Sequence, residues 1–238
     1  MHVGSRVAAL VPAAGQGARM GTEVPKQFLT LGGAPLLVHA LRILGAADVV
    51  TEIILVVPKA DYGYCQQELL PSLGLEKPIK VVMGGARRQD SVRLGLQAVS
   101  PDMDFVLVHD AARPFVTVEM VEQAVDAAKV HGASIVAIPM RDTVKRVTPD
   151  AVIQSTLDRE GLWLAQTPQV FRIGLLVEAH QKGEKDGVEA TDDAFLVERL
   201  GYRVWVVPGS LENIKITKPE DRLMGEAILA ARANRMSI

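Results

Sequence analysis

Residues 7–21 read VAALVPAAGQGARMG, a short apolar run that turns directly into a glycine-rich loop. The run Val7 to Val11 has no polar position on either side, which suits a strand buried on both faces of a parallel sheet. Runs of the same kind recur at Ile53 to Val57, Ile79 to Met83, Phe105 to His109 and Ser134 to Ile138. Helix-period segments lie between them, at Pro35 to Leu44, Asp61 to Leu70, Gln89 to Val99 and Val118 to Lys129. This alternation predicts right-handed crossovers and an α/β fold: a Rossmann-like, open, mostly parallel twisted sheet. Ligands of such sheets bind beyond the carboxyl ends of the strands, so the chemistry is sought directly after each run.

The chain has 238 residues, 26 Lys and Arg against 28 Asp and Glu, 48% hydrophobic residues and one cysteine. That length is accounted for by one α/β domain over 1–238 with its own core. A net charge of −2 argues against a nucleic-acid partner, whose affinity rests on many phosphate contacts. The lone Cys65 excludes an internal disulfide and a CxxC redox or zinc site, and a reducing compartment is expected. The apolar N-terminal run lacks a cleavage pattern, and no run approaches the roughly 20 apolar residues that span a bilayer. A cytoplasmic chain without a membrane partner is the expectation.

The rhythm breaks after Pro139. Residues 140–159, MRDTVKRVTPDAVIQSTLDR, form two short alternating stretches around Thr148, Pro149 and Asp150, the pattern of a hairpin with many charges and little apolar bulk. A protruding β-arm at about 140–160 has little core of its own and is expected to pack on a partner subunit in a homodimer. Strand-like runs resume at Val204 to Val207 and Asn213 to Ile216. A capping box from Thr217 to Glu220 then opens a last helix ending near Arg235.

Three loops carry candidate chemistry. In the first, Gly15 and Gly17 follow a buried strand, and glycine lets backbone N–H groups approach phosphate oxygens. Met20 breaks the dinucleotide fingerprint and no Gly-Lys pair exists for a Walker loop, so a plain tight turn competes with a phosphate loop. Arg19 and Lys26 follow closely and favour the phosphate reading. The second loop, MGGARRQDSV (83–92), joins Gly84 and Gly85 to Arg87, Arg88 and Ser91 at a helix start. An exposed basic pair is its alternative. The third, VLVHDAARPF (106–115), places Asp110 and Arg113 at a strand end, where an aspartate either caps a turn or holds Mg²⁺ near phosphates. His109 continues the apolar run and reads as a satisfied core histidine. No HExxH, no comparable His/Cys spacing and no GxSxG elbow is present, and 4% aromatic content disfavours a base-stacking platform.

In order along the chain stand PAAGxGxRM, PKQF, GGxxRxxSV, HDAARPF, RDTVKR, LDRxGLWxAQTPQ, ATDDA and NIKIT. This series resembles the 2-C-methyl-D-erythritol 4-phosphate cytidylyltransferase family over essentially the whole chain. The resemblance implies a nucleotidyltransferase that joins CTP to methylerythritol phosphate and releases pyrophosphate in the non-mevalonate route to isoprenoids, with Mg²⁺ or another divalent cation. It implies a homodimer in which each arm completes the partner's site. Pro12, Ala13, Ala14, Gly15 and Gly17 would hold the CTP phosphates, with Arg19 and Lys26 as catalytic cations. Gly85, Arg88, Ser91 and the Ala111 backbone would hold the nucleotide, and Asp110 would be the metal-side carboxylate. Arg113, Thr191 and Lys215 of one subunit, with Thr143 and Arg159 of the other, would position the acceptor. Ala86 lies in the nucleotide loop where relatives can carry a polar or acidic residue. A ribitol 5-phosphate cytidylyltransferase shares the glycine loop and the PKQ segment. A sugar 1-phosphate nucleotidylyltransferase has a longer loop, and a non-catalytic nucleotide-binding protein would be expected to lack Arg19 or Lys26.

Overall fold

The computed structural model describes residues 4–15 and 28–236. Its centre is a seven-stranded sheet built from β1 (Val7–Pro12), β4 (Val50–Val57), β5 (Ile79–Met83), β6 (Phe105–Val108), β7 (Ala133–Pro139), β10 (Trp163–Arg172) and β11 (Trp205–Pro208). The spatial order is β11-β7-β10-β6-β1-β4-β5, and β10 alone runs against its two neighbours. The mostly parallel sheet read from the sequence is therefore present, with one reversed strand inserted near its middle. Two small hairpins accompany it: β2 (Thr30–Leu31) with β3 (Ala34–Pro35), and β8 (Val144–Val147) with β9 (Ile153–Leu157).

In the central strands the continuous apolar runs follow from burial on both faces, whereas β5, at the sheet edge, leaves Lys80 and Met83 exposed. Side chains alternate along a strand, so Val7, Ala9 and Val11 of β1 enter one core layer while Leu10 enters the other. In β4, Ile53, Leu55 and Val57 divide from Ile54 and Val56 in the same way. The first layer is closed by α1 (Leu36–Ala46) and α5 (Val118–His131), through Leu37, Leu41, Val121 and Val125. A helical segment joins it: α2 (Tyr62–Tyr64) passes through a π-turn at Cys65–Leu69 into α3 (Leu70–Leu73). The second layer is closed by α4 (Arg88–Leu96), α6 (Ile173–Lys185) and α7 (Asp193–Arg199), through Val92, Leu176, Leu196 and Val197. Each fully buried Leu, Ile or Val contributes about 1.5–3 kcal/mol of transfer free energy.

The helix expected over Asp61 to Leu70 is present within a continuous helical run over 59–73 that passes through 3₁₀, α, π and α turns in succession. Asn213 to Ile216 pair with no strand: they cross the sheet's carboxyl edge as a loop fixed by the Ile216 N–H to Ala112 carbonyl bond at 2.8 Å. α8 (Pro219–Met236) begins near the expected cap, but the carboxylate that accepts from Thr217 belongs to Asp221 rather than Glu220, at 2.7 Å from its N–H and 3.0 Å from its hydroxyl. The arm holds the β8–β9 hairpin. It is an insertion between the antiparallel neighbours β7 and β10, closed at its base by the Met140 N–H to Leu162 carbonyl bond.

Candidate active site

The carboxyl ends of β1, β5 and β6 meet at one edge of the sheet. After β1 the chain stays attached to β4 through the Ala13 N–H to Val56 carbonyl bond, 2.7 Å, which presents Pro12, Ala13, Ala14 and Gly15 as the wall of a cavity. Beneath that wall lies Gly84. A Cβ there would stand 2.3 Å from Ala14 Cβ and 2.9 Å from Ser91 Oγ, so only glycine permits the two loops to touch. Ser91 accepts from the Gly85 N–H (3.2 Å) and donates to the Arg87 carbonyl (3.1 Å), which folds the second loop onto the start of α4.

The two adjacent arginines of that loop part company. Arg87 is the N-cap of α4, and its side chain forms a bidentate pair with Asp90 at 3.0 and 2.7 Å on the exposed surface. Arg88 turns inward, where its Nε donates to Asp110 Oδ1 at 2.8 Å and its Nη1 lies 2.8 Å from Asp193 Oδ2. Burial disfavours its charge, but the carboxylates of Asp193 and Asp110 overcome this and raise its pKa. Asp110 is held in turn by Lys215 Nζ, 2.6 Å from Oδ2. Burial alone would push the Asp110 carboxyl up; Arg88 and Lys215 hold it well below the usual carboxylate range.

Lys215 arrives on the loop that crosses the sheet edge, and the loop is fixed by buried amides. Asn213 Nδ2 donates to Gln166 Oε1 (3.1 Å) and to the Thr167 carbonyl (3.0 Å), while Gln166 Nε2 donates to the Ser210 carbonyl (2.8 Å). Arg113 Nη1 donates to the Asn213 carbonyl at 2.7 Å, and its buried Nε has no hydrogen-bond partner among the described residues. The Asp110 N–H donates to Thr167 Oγ1 (3.1 Å), and Thr167 lies 3.1 Å from His109 Nδ1. His109 Nε2 faces the Arg113 carbonyl at 3.0 Å. A carbonyl only accepts, so Nε2 carries the ring proton and Nδ1 accepts from Thr167. Burial pushes the His109 pKa down to about 4, so it is the neutral core histidine expected from the sequence.

Two adjoining cavities share Arg88, Asp110 and Lys215. One is walled by Pro12, Ala13, Ala14, Gly15, Ser91 and Ala111. The other is walled by Arg113, Ala165, Gln166, Thr167 and Thr191. Gly85 supports the first cavity through Ser91 without lining it. Thr143 and Arg159 are exposed on the arm and line neither. Gly17, Arg19 and Lys26 lie outside the described residues. Thr167, Asn213 and Asp193 lie within the quoted blocks LDRxGLWxAQTPQ, NIKIT and ATDDA but received no role from the sequence. Asp193 left a further signal, a carboxylate three and four residues before the apolar Leu196 and Val197, on a helix face that is otherwise core.

Among the described residues no group of three or more His, Cys, Asp or Glu could hold a metal ion. Asp110 offers a single carboxylate, each oxygen with one lone pair spent on a cation. That donor set fits a Mg²⁺ that shares its remaining positions between phosphate oxygens and water.

Asp110 between Arg88 and Lys215, with Arg113 and Asp192 on the second cavity, at the carboxyl edge of a mostly parallel sheet, belongs with an α/β enzyme of the nucleotidyltransferase class. The family model for 2-C-methyl-D-erythritol 4-phosphate cytidylyltransferase (IspD) matches residues 7–231. Curated proteins of that name are similar over nearly the full chain. The one from Pelotomaculum thermopropionicum is 45% identical over 98% of each chain, and the one from Syntrophus aciditrophicus is 46% identical over 97% of this chain and 99% of its own. The solved 4-diphosphocytidyl-2C-methyl-D-erythritol synthase from Anaerococcus prevotii superposes with a TM-score of 0.84 at 31% identity, over 95% of this chain and 97% of that one. The chain belongs to the 2-C-methyl-D-erythritol 4-phosphate cytidylyltransferase family.

Proposed function

We infer that the two adjoining cavities are the nucleotide half and the acceptor half of one transfer site. The reaction is transfer of a cytidylyl group from CTP to 2-C-methyl-D-erythritol 4-phosphate, with release of pyrophosphate, in the non-mevalonate pathway. The observation that carries the assignment is the position of Arg88, Asp110 and Lys215 on the wall common to both cavities. The nucleophile is a phosphate monoester oxygen whose second pKa is about 6, so it is largely ionised near neutrality and needs no general base. His109, neutral and with both ring nitrogens committed, is not called on for one.

What the protein supplies is relief of repulsion between two anions and their alignment. The β1 loop with Arg88 and Ser91 takes the nucleotide. Arg113, Thr191 and Lys215 take the acceptor phosphate, and the Nε of Arg113, without a partner among the described residues, is a donor available to it. Arg19 and Lys26 carry the charge that meets the reacting phosphorus. Asp110 would hold Mg²⁺ or another divalent cation, which supplies charge neutralisation at the triphosphate when bound.

The arm acts in trans in a homodimer. Support comes from Thr143 and Arg159, which line neither cavity of their own chain, and from Val147, Val152, Ile153, Trp163 and Leu164, apolar side chains left exposed along the arm and at its base. No helix among the described residues is long and apolar enough to cross a membrane, and a cytoplasmic location accords with a small-molecule biosynthetic role and a single buried thiol. The test is pyrophosphate release from purified protein given CTP, Mg²⁺ and each acceptor. Release with methylerythritol phosphate is expected; release with ribitol 5-phosphate alone would assign the acceptor half differently.

A further inference from the structure

We propose that Asp193, braced by His180, is a positioning residue that fixes the Arg88 guanidinium on the wall between the two cavities. The proposal rests on the transfer reading for the importance of Arg88. Asp193 lies at the start of α7, is 1% exposed and lines neither cavity, so any effect on the reaction passes through another side chain. Its two carboxylate oxygens have different partners. Oδ2 lies 2.8 Å from Arg88 Nη1, and Oδ1 lies 3.0 Å from Nε2 of His180 on α6, which is also 1% exposed. An ionised carboxylate only accepts, so Nε2 carries the proton that bonds to it. The carboxylate is thus held by a hydrogen bond at Oδ1 and by an ion pair alone at Oδ2, which makes no hydrogen bond among the described residues. Burial would raise its pKa, but the Arg88 charge and the His180 hydrogen bond outweigh burial and lower it.

A buried carboxylate is a poor device for holding α7 against the sheet. Its neighbours Ala194, Leu196 and Val197 do that by packing, and an apolar side chain at 193 would avoid the desolvation cost. The charge has a use in keeping Arg88 still. Arg88 is pinned between Asp110 and Asp193, and Asp110 is the partner that a polyphosphate or its metal would draw away. With Asp193 in place, the guanidinium keeps one carboxylate and its orientation when Asp110 turns to the ligand. Displacement of a positioning group by about 1 Å can cost on the order of 10² in rate.

The experiment is a double-mutant cycle. Asp193→Asn is expected to lower kcat/KM for CTP about 10- to 100-fold, and Arg88→Gln about 10²-fold. The double variant is expected to fall within about threefold of Arg88→Gln alone, because Asp193 has nothing left to position. Multiplicative losses would overturn the proposal, since a structural carboxylate harms both backgrounds equally. Should Asp193→Asn fail to fold, His180 carries the same cycle. His180→Gln keeps an N–H donor and should retain most activity, His180→Leu should lose about tenfold, and the two should be equal in the Arg88→Gln background. Equal losses in both backgrounds would again refute it. Each arm is also read as CTP affinity by calorimetry. An inactive wild type that binds CTP would count against the transfer reading and still measure the coupling between Asp193 and Arg88.

Discussion

The buried His109 makes folding stability depend on pH in a way that can be calculated. Its ring sits at the end of β6 with Nε2 on the Arg113 carbonyl and Nδ1 on the Thr167 hydroxyl, and burial lowers its pKa from 6.5 to about 4. In the unfolded chain it returns to about 6.5. Between those values the unfolded state binds a proton that the folded state refuses, so stability falls as pH falls. The His109 contribution is complete above pH 6.5. It declines by about 2 kcal/mol at pH 5 and levels off near 3 kcal/mol below pH 4, at 1.36 kcal/mol per pK unit. The assay is urea unfolding of wild type and His109→Gln at pH 5, 6, 7 and 8. Glutamine keeps a donor and an acceptor but does not titrate. The variant is expected to be less stable at pH 8 through imperfect packing, and the gap should shrink by about 2 kcal/mol on going to pH 5. Parallel curves would refute the argument, because they would mean that His109 binds protons alike in both states.

Gly84→Ala forces a methyl to within 2.3 Å of Ala14 Cβ, so it should cost about 1–3 kcal/mol in a urea melt and raise the KM for CTP; an unchanged KM would deny the contact between the two loops. Arg19→Ala and Lys26→Ala should each lower turnover by about 10² to 10³ with the thermal midpoint retained, and near-normal turnover in either removes it from the catalytic role. Mixing Arg159→Ala subunits with Lys26→Ala subunits should restore part of the activity in hybrid dimers. Hybrids that form but stay inactive would assign each arm to its own subunit.

The parallel strands were legible because burial on both faces leaves an unbroken apolar run, as in Val7 to Val11 and Ile53 to Val57. β10 was not, and the reason is chemical. Its central residues Gln166, Thr167 and Gln169 are polar yet buried, because Asn213, Ser210, Asp192 and Ala194 hold their amides and the Asp110 N–H and His109 ring hold the hydroxyl. Those partners are distant in sequence, so no local pattern announces a strand. The same holds for Asn213 to Ile216, whose apolar alternation suggested pairing that the loop replaces with side-chain bonds. In the site, the loops and Asp110 were legible as glycine and charge at strand ends. The choice of Arg88 over Arg87 came from the GGxxRxxSV resemblance and not from the residues themselves. It depends on Asp90 taking the first as a cap, a three-residue relation that leaves the second to face inward.

The site also explains how three cations can be kept close together before any phosphate arrives. Arg88, Arg113 and Lys215 all border the second cavity, and like charges at such range oppose one another; the Arg113 pKa is lowered by its own burial first and by Arg88 as well, with Asp110 acting in the opposite sense. Asp110 is therefore the counter-charge that makes the arrangement tolerable, contacting Arg88 and Lys215 through separate oxygens. Asp192 also borders the second cavity, with its oxygens accepting from Gln169 Nε2 and the Phe195 N–H, so three cations still outnumber two lining carboxylates and the wall stays net positive toward an incoming polyanion. Asp193 supplies its additional negative charge from behind Arg88, 1% exposed and outside both cavities, so it steadies the guanidinium without facing the substrates. The near-zero net charge of the chain thus says little about the site, because charge there is decided by which side of Arg88 a carboxylate occupies.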